Sequence, residues 1–402
     1  MEKKKLLLIC DAAVDTGFAK VAHSLIEHWY TTWDISVLAI NYRGDHYPLL
    51  EGKAKLYNPS AQDSGDYYGF GRLPALLGRL KPDIICIIND PWVLSQYIRV
   101  IKSTPCPAKL VFYTPVDAVN IKNVYVEPLN EFDTGIAYTE FGAKELQFSG
   151  YTKDIFIIPH GINAKEFYPM DKEEVRAKII ERGLVPNFLQ NDYIVQVVDR
   201  NSQRKRIDLA MYGFALWARN KPDTVKLWYH GALIDDGYDI AQLAWYFGIQ
   251  DRMIYTSTAI TPDRGVPVDV MNAVYNVANV RVSTSGGEGW GLCSMESMAT
   301  RTANMVVNTA ALSEWALGGV HYLKPSTIPY VTTKGLNTIH AQVDIDDYVQ
   351  SLDRMYYDTM YRDFVAESGY ALVSQDKFSW STIANQFTEV FNDTLRSDQE
   401  VV

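Results

Sequence analysis

Cysteine is scarce: the 402 residues hold four, at positions 10, 86, 106 and 293, with no Cys-x-x-Cys pair among them. That excludes a disulfide framework and a zinc ribbon, and the thiols read as reduced in a cytoplasmic chain. Long apolar runs are missing as well. No stretch approaches the roughly 18 to 20 apolar residues that a membrane-spanning helix needs, so no transmembrane segment is expected. The basic start MEKKK is followed by five apolar residues, Leu6–Cys10, before Asp11, which is too short for a secretory signal. Positive charge is in deficit, with 38 Lys and Arg against 48 Asp and Glu and a net charge of −10. The broad attraction to phosphate backbones that most nucleic-acid binding depends on is therefore removed. Also absent are Gly-x4-Gly-Lys-Ser/Thr, His-Glu-x-x-His and Gly-x-Ser-x-Gly, and with them the usual markers of nucleoside triphosphate hydrolysis, zinc proteolysis and serine esterase chemistry.

What remains is an ordinary globular composition, 47% hydrophobic and 21% charged, long enough for two or three folding units. Short apolar runs alternate with segments of helical period, the pattern of parallel α/β sheets. Leu6–Cys10, Ile35–Ile40, Ile84–Ile88, Leu110–Tyr113, Thr134–Tyr138 and Ile155–Ile158 read as strands of a first domain, residues 1–165. A polar helical stretch, Lys165–Gln190, with Pro169 and Pro186 near its ends, reads as the inter-domain region. Strands Tyr193–Val198, Val225–Tyr229, Met253–Tyr255, Val280–Ser283 and Asn304–Val307 then alternate with helices Ile207–Arg219, Ile240–Phe247, Leu292–Ala299 and Leu312–Leu317 in a second domain, residues 166–380. From about Asp346 the chain reads as wholly helical, ending in a helix over 381–402. Two Rossmann-like domains facing a central cleft are expected.

The densest unusual stretch is Ser283-Thr-Ser-Gly-Gly-Glu-Gly-Trp-Gly-Leu-Cys-Ser-Met-Glu296, between a predicted strand and a helix. Its glycines, Gly286, Gly287, Gly289 and Gly291, let backbone approach a ligand, and the helix that follows aims free amides and a positive dipole end at the same place. An anion is expected there. The spacing is not the dinucleotide fingerprint, and no acidic residue ends a strand about 20 positions later, so binding of NAD is excluded. Glu288 in the loop and Glu296 in the helix are suited to accept hydrogen bonds from sugar diols.

At these residues the chain resembles the retaining glycosyltransferases of family 4, whose fold is GT-B: Glu288-Gly-Trp-Gly-Leu-Cys-Ser-Met-Glu296 matches their Glu-x7-Glu signature. Val195-Gln-Val-Val-Asp-Arg200 followed by Lys205-Arg-Ile-Asp208 resembles the family's strand, arginine and Lys-Gly-x-Asp segment, with Arg206 where glycine is common. Ile157-Ile-Pro-His-Gly-Ile-Asn163 and Phe167-Tyr-Pro169 resemble its connection into the second domain, and Asp15-Thr-Gly-Phe18 lies where the family places a glycine near the sugar phosphates. The resemblance implies that Arg200 and Lys205 hold the donor diphosphate, that Glu288 holds the transferred sugar and that Glu296 holds the ribose diol. It assigns Gly17, Gly289, Trp290, Gly291 and Leu292 to the donor as well. It further implies that the second domain binds the nucleotide sugar, that the first serves the acceptor, and that the C-terminal helix crosses back to the first domain. One departure lies at Phe112-Tyr-Thr-Pro-Val-Asp117, where many members carry a histidine. Asp117 is read either as a contact to sugar or acceptor or as a turn aspartate capping the next segment. His160 is read as a strand-end residue. Asp344-x-Asp346-Asp347, which mimics a metal-binding Asp-x-Asp, immediately precedes a helix and is read as its N-terminal cap.

The activity implied is transfer of a sugar from a UDP- or GDP-linked donor to an acceptor hydroxyl, with retention of configuration and with neither a metal nor a cofactor. A sugar or small molecule is the default acceptor. A hydroxymethylated base in viral DNA is a minority reading that the net charge of −10 disfavours. Two alternatives stay open: a nucleotide-sugar 2-epimerase of the same fold, and a sugar-nucleotide-binding protein without turnover.

Overall fold

The structure, a computed structural model, describes residues 3–396 apart from 15, 61–64, 184, 186, 187, 258, 262–264 and 334. Asp15 and Pro186, singled out above, lie outside the described residues. The chain divides into two compact units, Met1–Gly161 together with Asp376–Val402, and Ile162–Gln375.

The first unit is built on seven strands: β1 (Lys5–Cys10), β2 (Asp34–Ala39), β3 (Lys55–Tyr57), β4 (Ile84–Ile88), β5 (Lys109–Thr114), β6 (Thr134–Ala137) and β7 (Ile155–Ile157). All neighbours pair parallel, in the order β3-β2-β1-β4-β5-β6-β7. The central strands are continuous apolar runs because helices cover both faces, and every residue of β4 is buried. The C-terminal helix Trp380–Arg396 belongs to this unit. Its buried face recurs at three- and four-residue spacing through Trp380, Ile383, Ala384, Phe387, Val390, Phe391 and Thr394. Trp29 donates its indole N–H to the Ala384 carbonyl at 3.1 Å, and the Phe387 ring meets Trp29 and Tyr113 edge-on at 5.5 and 4.8 Å.

The second unit carries β8 (Tyr193–Val198), β9 (Val225–His230), β10 (Met253–Tyr255), β11 (Val280–Ser283), β12 (Ala303–Val307) and β13 (His321–Leu323). They form a parallel sheet in the order β10-β9-β8-β11-β12-β13. A two-stranded antiparallel hairpin, β14 (Tyr330–Val331) with β15 (Ile339–His340), follows. The sequence pattern did not indicate β3, β13 or this hairpin, all short strands in which at most one residue is buried. The helix expected over Leu312–Leu317 runs instead over Ala310–Trp315: Leu312 and Trp315 are buried, whereas Leu317 is exposed. Asp344 caps the helix Ile345–Tyr357 by accepting from the Asp347 N–H at 3.0 Å, and the Asp347 carboxylate accepts from the Lys324 N–H at 2.8 Å. Among the described residues no helix is long and apolar enough to cross a membrane.

Candidate functional site

The strand order of the second unit reverses between β8 and β11, and in open α/β sheets ligands bind outside the carboxyl ends of the strands at such a point. Two loops leave the sheet there. One runs from Asp199 to Arg206 after β8 and contains the short turn Gln203–Lys205; the other runs from Thr284 to Gly291 after β11. They are joined backbone to backbone and side chain to backbone: Gly286 N–H donates to the Arg204 carbonyl at 2.8 Å, and the Arg204 guanidinium donates to the Gly287 carbonyl at 2.7 Å. A side chain at Gly286 would meet the Ala341 carbonyl at 2.6 Å, so the close approach of this loop to the Ala341 backbone requires glycine. Arg206, where glycine was noted as common, has a φ of 48° and keeps the left-handed conformation that glycine adopts without strain. Its guanidinium is drawn back onto Asp208 at 2.9 Å and lies over the Tyr330 ring at 5.5 Å.

Lys205 and Glu288 come together. The Lys205 ammonium donates to Glu288 Oε1 at 2.5 Å and to Asp199 Oδ1 at 2.7 Å, and Arg204 reaches Glu288 Oε2 at 3.2 Å. Burial by itself raises the pKa of Glu288, yet Lys205 and Arg204 outweigh it and hold the carboxyl well below the usual carboxylate range, at about 2. Burial opposes the charge on Lys205 too, but Asp199 and Glu288 raise its pKa. Both groups are therefore charged at neutral pH. Arg200 is turned elsewhere: its guanidinium is paired with Asp235 at 2.9 Å, and two-thirds of its side chain is exposed.

The glycine loop passes into the helix Leu292–Ala299 through Gly291, at φ 93°, which stands at the N-cap and offers no side chain to the first amides. Residues 284–290 are buried, and Gly291 and Leu292 are half-buried. The Trp290 indole stacks on Trp315 at 4.6 Å and donates to the Met295 sulfur at 3.3 Å. The Trp315 indole donates to the Trp290 carbonyl at 2.7 Å, so Trp290 pins the loop. Glu296 is buried and accepts from the Tyr275 hydroxyl at 2.8 Å. Burial, with Asp199 and Glu296 nearby, pushes the Cys293 thiol up, so it is not a thiolate.

Asp199, Arg281, Tyr275 and Asp235 were not singled out from sequence, although all four contact the predicted site residues or one another. The one available signal was charge in an apolar context. Asp199 ends the run Tyr193–Val198, and Arg281 interrupts the run Val280-Arg-Val-Ser.

The first unit holds the other two sequence candidates. Gly17 is exposed and opens the helix Gly17–Trp29, which Thr16 caps by accepting from the Ala19 N–H at 3.2 Å. Asp117 is half-buried, three residues beyond β5. His160 is buried among Tyr113, Tyr138 and Trp380, with ring centroids at 5.6, 4.2 and 6.2 Å. Burial pushes its pKa down to about 3 and keeps it neutral. At the carboxyl end of β1, Asp11 is buried beside Asn41, which donates to it at 3.0 Å; burial pushes its pKa up to about 6.

No known family model matches this sequence, and no curated protein does. Solved structures do. A sucrose-phosphate synthase from Thermosynechococcus elongatus superposes with a TM-score of 0.75 at 16% identity, over 98% of this chain and all of that one. Anabaena HepE, solved with UDP-glucose, gives 0.72 at 15% identity over 97% and 99%. A trehalose-6-phosphate synthase, studied for glycosyl transfer with retention, gives 0.68 at 12% identity over 97% and 99%. The two parallel α/β units are those of the GT-B glycosyltransferase fold.

Proposed function

We propose that this chain is a glycosyltransferase that moves a sugar from a nucleoside diphosphate donor to an acceptor hydroxyl, with retention and without a metal. The observation that carries the reading is the convergence, at the switch point of the second sheet, of Lys205 and Arg204 with a glycine loop, an uncapped helix start and two buried carboxylates. In the reaction the bond from the sugar's anomeric carbon to the diphosphate oxygen breaks, and a bond from that carbon to the acceptor oxygen forms. The acceptor proton passes to the departing phosphate oxygen on the same face. Charge grows on the diphosphate as it leaves. Lys205, Arg204, the first amides of Leu292–Ala299 and Arg200, once released from Asp235, stabilise it. Glu288 orients the sugar hydroxyls and Glu296 takes the ribose diol. Gly17 serves the donor's sugar phosphates, and Asp117 contacts the sugar or the acceptor.

UDP is the favoured nucleotide, because HepE was solved with UDP and UDP-glucose on the same fold. Calorimetric titration of the chain with UDP and with GDP, each with and without EDTA, tests the reading. Binding that survives EDTA is expected. Binding that EDTA abolishes overturns the metal-free part, and no binding of either nucleotide overturns the whole. Incubation with the identified UDP-sugar then separates transfer from epimerisation: a transferase gives product in proportion to added acceptor, whereas a 2-epimerase needs no acceptor and gives the 2-epimer, released as free sugar where water cleaves the anomeric bond.

A further inference from the structure

Arg281 has no part in the chemistry above, yet it lies in the middle of β11 with 1% of its side chain exposed. A guanidinium at that depth requires compensation by charge and hydrogen bonds. Its Nη2 donates to the Val198 carbonyl at 3.0 Å and reaches Asp199 Oδ2 at 3.4 Å, while its Nη1 donates to the Ser294 hydroxyl at 2.8 Å. Asp199 divides its two oxygens. Oδ2 faces Arg281 and accepts from the Ser283 hydroxyl at 3.3 Å, whereas Oδ1 takes the Lys205 ammonium at 2.7 Å.

We propose that Arg281 is a positioning residue that acts through Asp199 on Lys205; this rests on the reading of the site as one for a nucleoside diphosphate. By engaging Oδ2, Arg281 limits Asp199 to a single bond with Lys205. Glu288 takes a second N–H of the ammonium, and the third donor is kept for an anion. The charges agree with this. Arg204, Lys205 and Arg281, set against Asp199 and Glu288, leave one positive charge on the linked set. Without Arg281 that charge falls to zero, and both Asp199 oxygens turn to Lys205. Neutralising Asp199 as well restores the single positive charge and releases the ammonium.

The test is calorimetric titration with UDP of the full-length wild type, Arg281→Met and the double variant Asp199→Asn/Arg281→Met, with thermal unfolding as the check on folding. Arg281→Met is expected to bind UDP at least tenfold more weakly, and the double variant to return to within threefold of the wild type. A residue that only packs against Val198 and Ser294 cannot be rescued by a second substitution. A double variant that binds no more tightly than Arg281→Met overturns the proposal. Should Arg281→Met fail to fold, the double variant, from which both buried charges are removed together, is compared with the wild type directly. Affinity within threefold supports the proposal, and a larger loss overturns it. A wild type that binds UDP beside an unrescued double variant defeats this inference alone. A wild type that binds neither UDP nor GDP defeats the functional reading and this inference with it.

Discussion

The two sheets share one strand order through their first six positions, and each reverses direction beside its first strand, between β1 and β4 in the first unit and between β8 and β11 in the second. The residues that follow those strands are opposite in character. After β8 and β11 come Arg200, paired with Asp235, and Arg204 and Lys205, which meet Glu288 of the glycine loop. After β1 and β4 come Asp11, bonded to Asn41, and Asp90, with the Tyr68 phenol held above its usual pKa by burial and by these two carboxylates. Topology supplies a crevice in both cases; the side chains decide what enters it. On the proposed function the second crevice takes the diphosphate, whereas Asp11 and Asp90 set negative charge beside the first.

Breaking the second crevice at its centre gives the largest expected effect. Lys205→Met leaves Asp199 and Glu288 buried with their shared cation gone, and breaking a buried pair in this way costs about 3–5 kcal/mol. Urea unfolding measures it. A loss under about 1 kcal/mol shows that Arg204 and Arg281 satisfy the two carboxylates without Lys205.

The next prediction works in the other direction. Glu288 has its pKa depressed to about 2, so its stabilisation is complete above the unfolded value near 4.3 and is lost as the pH falls through about 2. Asp11 has its pKa raised to about 6, so its ionisation costs stability above that pH and costs none below about 3.9. Asp11→Asn keeps an acceptor for Asn41. It is expected to stabilise the chain by on the order of 2–3 kcal/mol at pH 7, since each pH unit between the folded and unfolded titrations is worth about 1.36 kcal/mol, and to have no effect at about pH 3.5. Thermal unfolding at the two pH values decides it. Equal destabilisation at both shows that the carboxylate is held by more than desolvation.

Within the second crevice, Glu296 and Glu288 are expected to separate by kinetics. Glu296 accepts from a neutral hydroxyl, that of Tyr275, whereas Glu288 is held by Lys205 and Arg204, so Glu296→Gln is expected to disturb the ion network less than Glu288→Gln. On the proposed roles Glu296→Gln raises the donor KM at a cost of about 1.5–3 kcal/mol, the value of a hydrogen bond to a charged group. Tyr275→Phe, which frees the carboxylate to turn, raises KM less. Glu288→Gln lowers kcat instead. Steady-state rates with the identified donor distinguish the three, and an unchanged KM in Glu296→Gln removes the ribose from its role.

Sequence showed the skeleton of this comparison but not its wiring. β4, β8, β10, β11 and the helix Leu292–Ala299 lie where the apolar runs and glycine punctuation put them, because those segments are buried and bounded by residues that stop them. β3 and β13 stand at sheet edges, where burial imposes little pattern. The helix Val268–Asn276, which brings Tyr275 to Glu296, was not suggested either. Arg281 was not singled out, and the pairing of β11 with both β8 and β12 buries it. Arg200 and Lys205 read as an equivalent basic pair. A short turn at Gln203–Lys205 and the left-handed Arg206 carry Lys205 into the interior and leave Arg200 at the surface.

That last contrast carries the smallest prediction. Arg200 is two-thirds exposed and its partner Asp235 is not, so the pair resembles a surface ion pair with one anchored end. Exposed pairs contribute about 0–1 kcal/mol and are screened by salt. Arg200→Ala should therefore lower stability by no more than about 1 kcal/mol, and the difference from the wild type should shrink in about 1 M salt, whereas the Lys205→Met loss should persist there because water and ions do not reach a buried set. Its effect on ligand binding is the more informative half. If Arg200 leaves Asp235 for the diphosphate, it exchanges one carboxylate for another anion, and the net gain is modest: removing it should weaken UDP binding about tenfold, or about 1.4 kcal/mol. Asp235→Asn should then tighten UDP binding, since the arginine no longer has to be drawn away from a charge. An Asp235→Asn chain that binds UDP no better than the wild type shows that Arg200 stays at the surface, and that the second crevice meets its anion with Arg204, Lys205 and the helix amides alone.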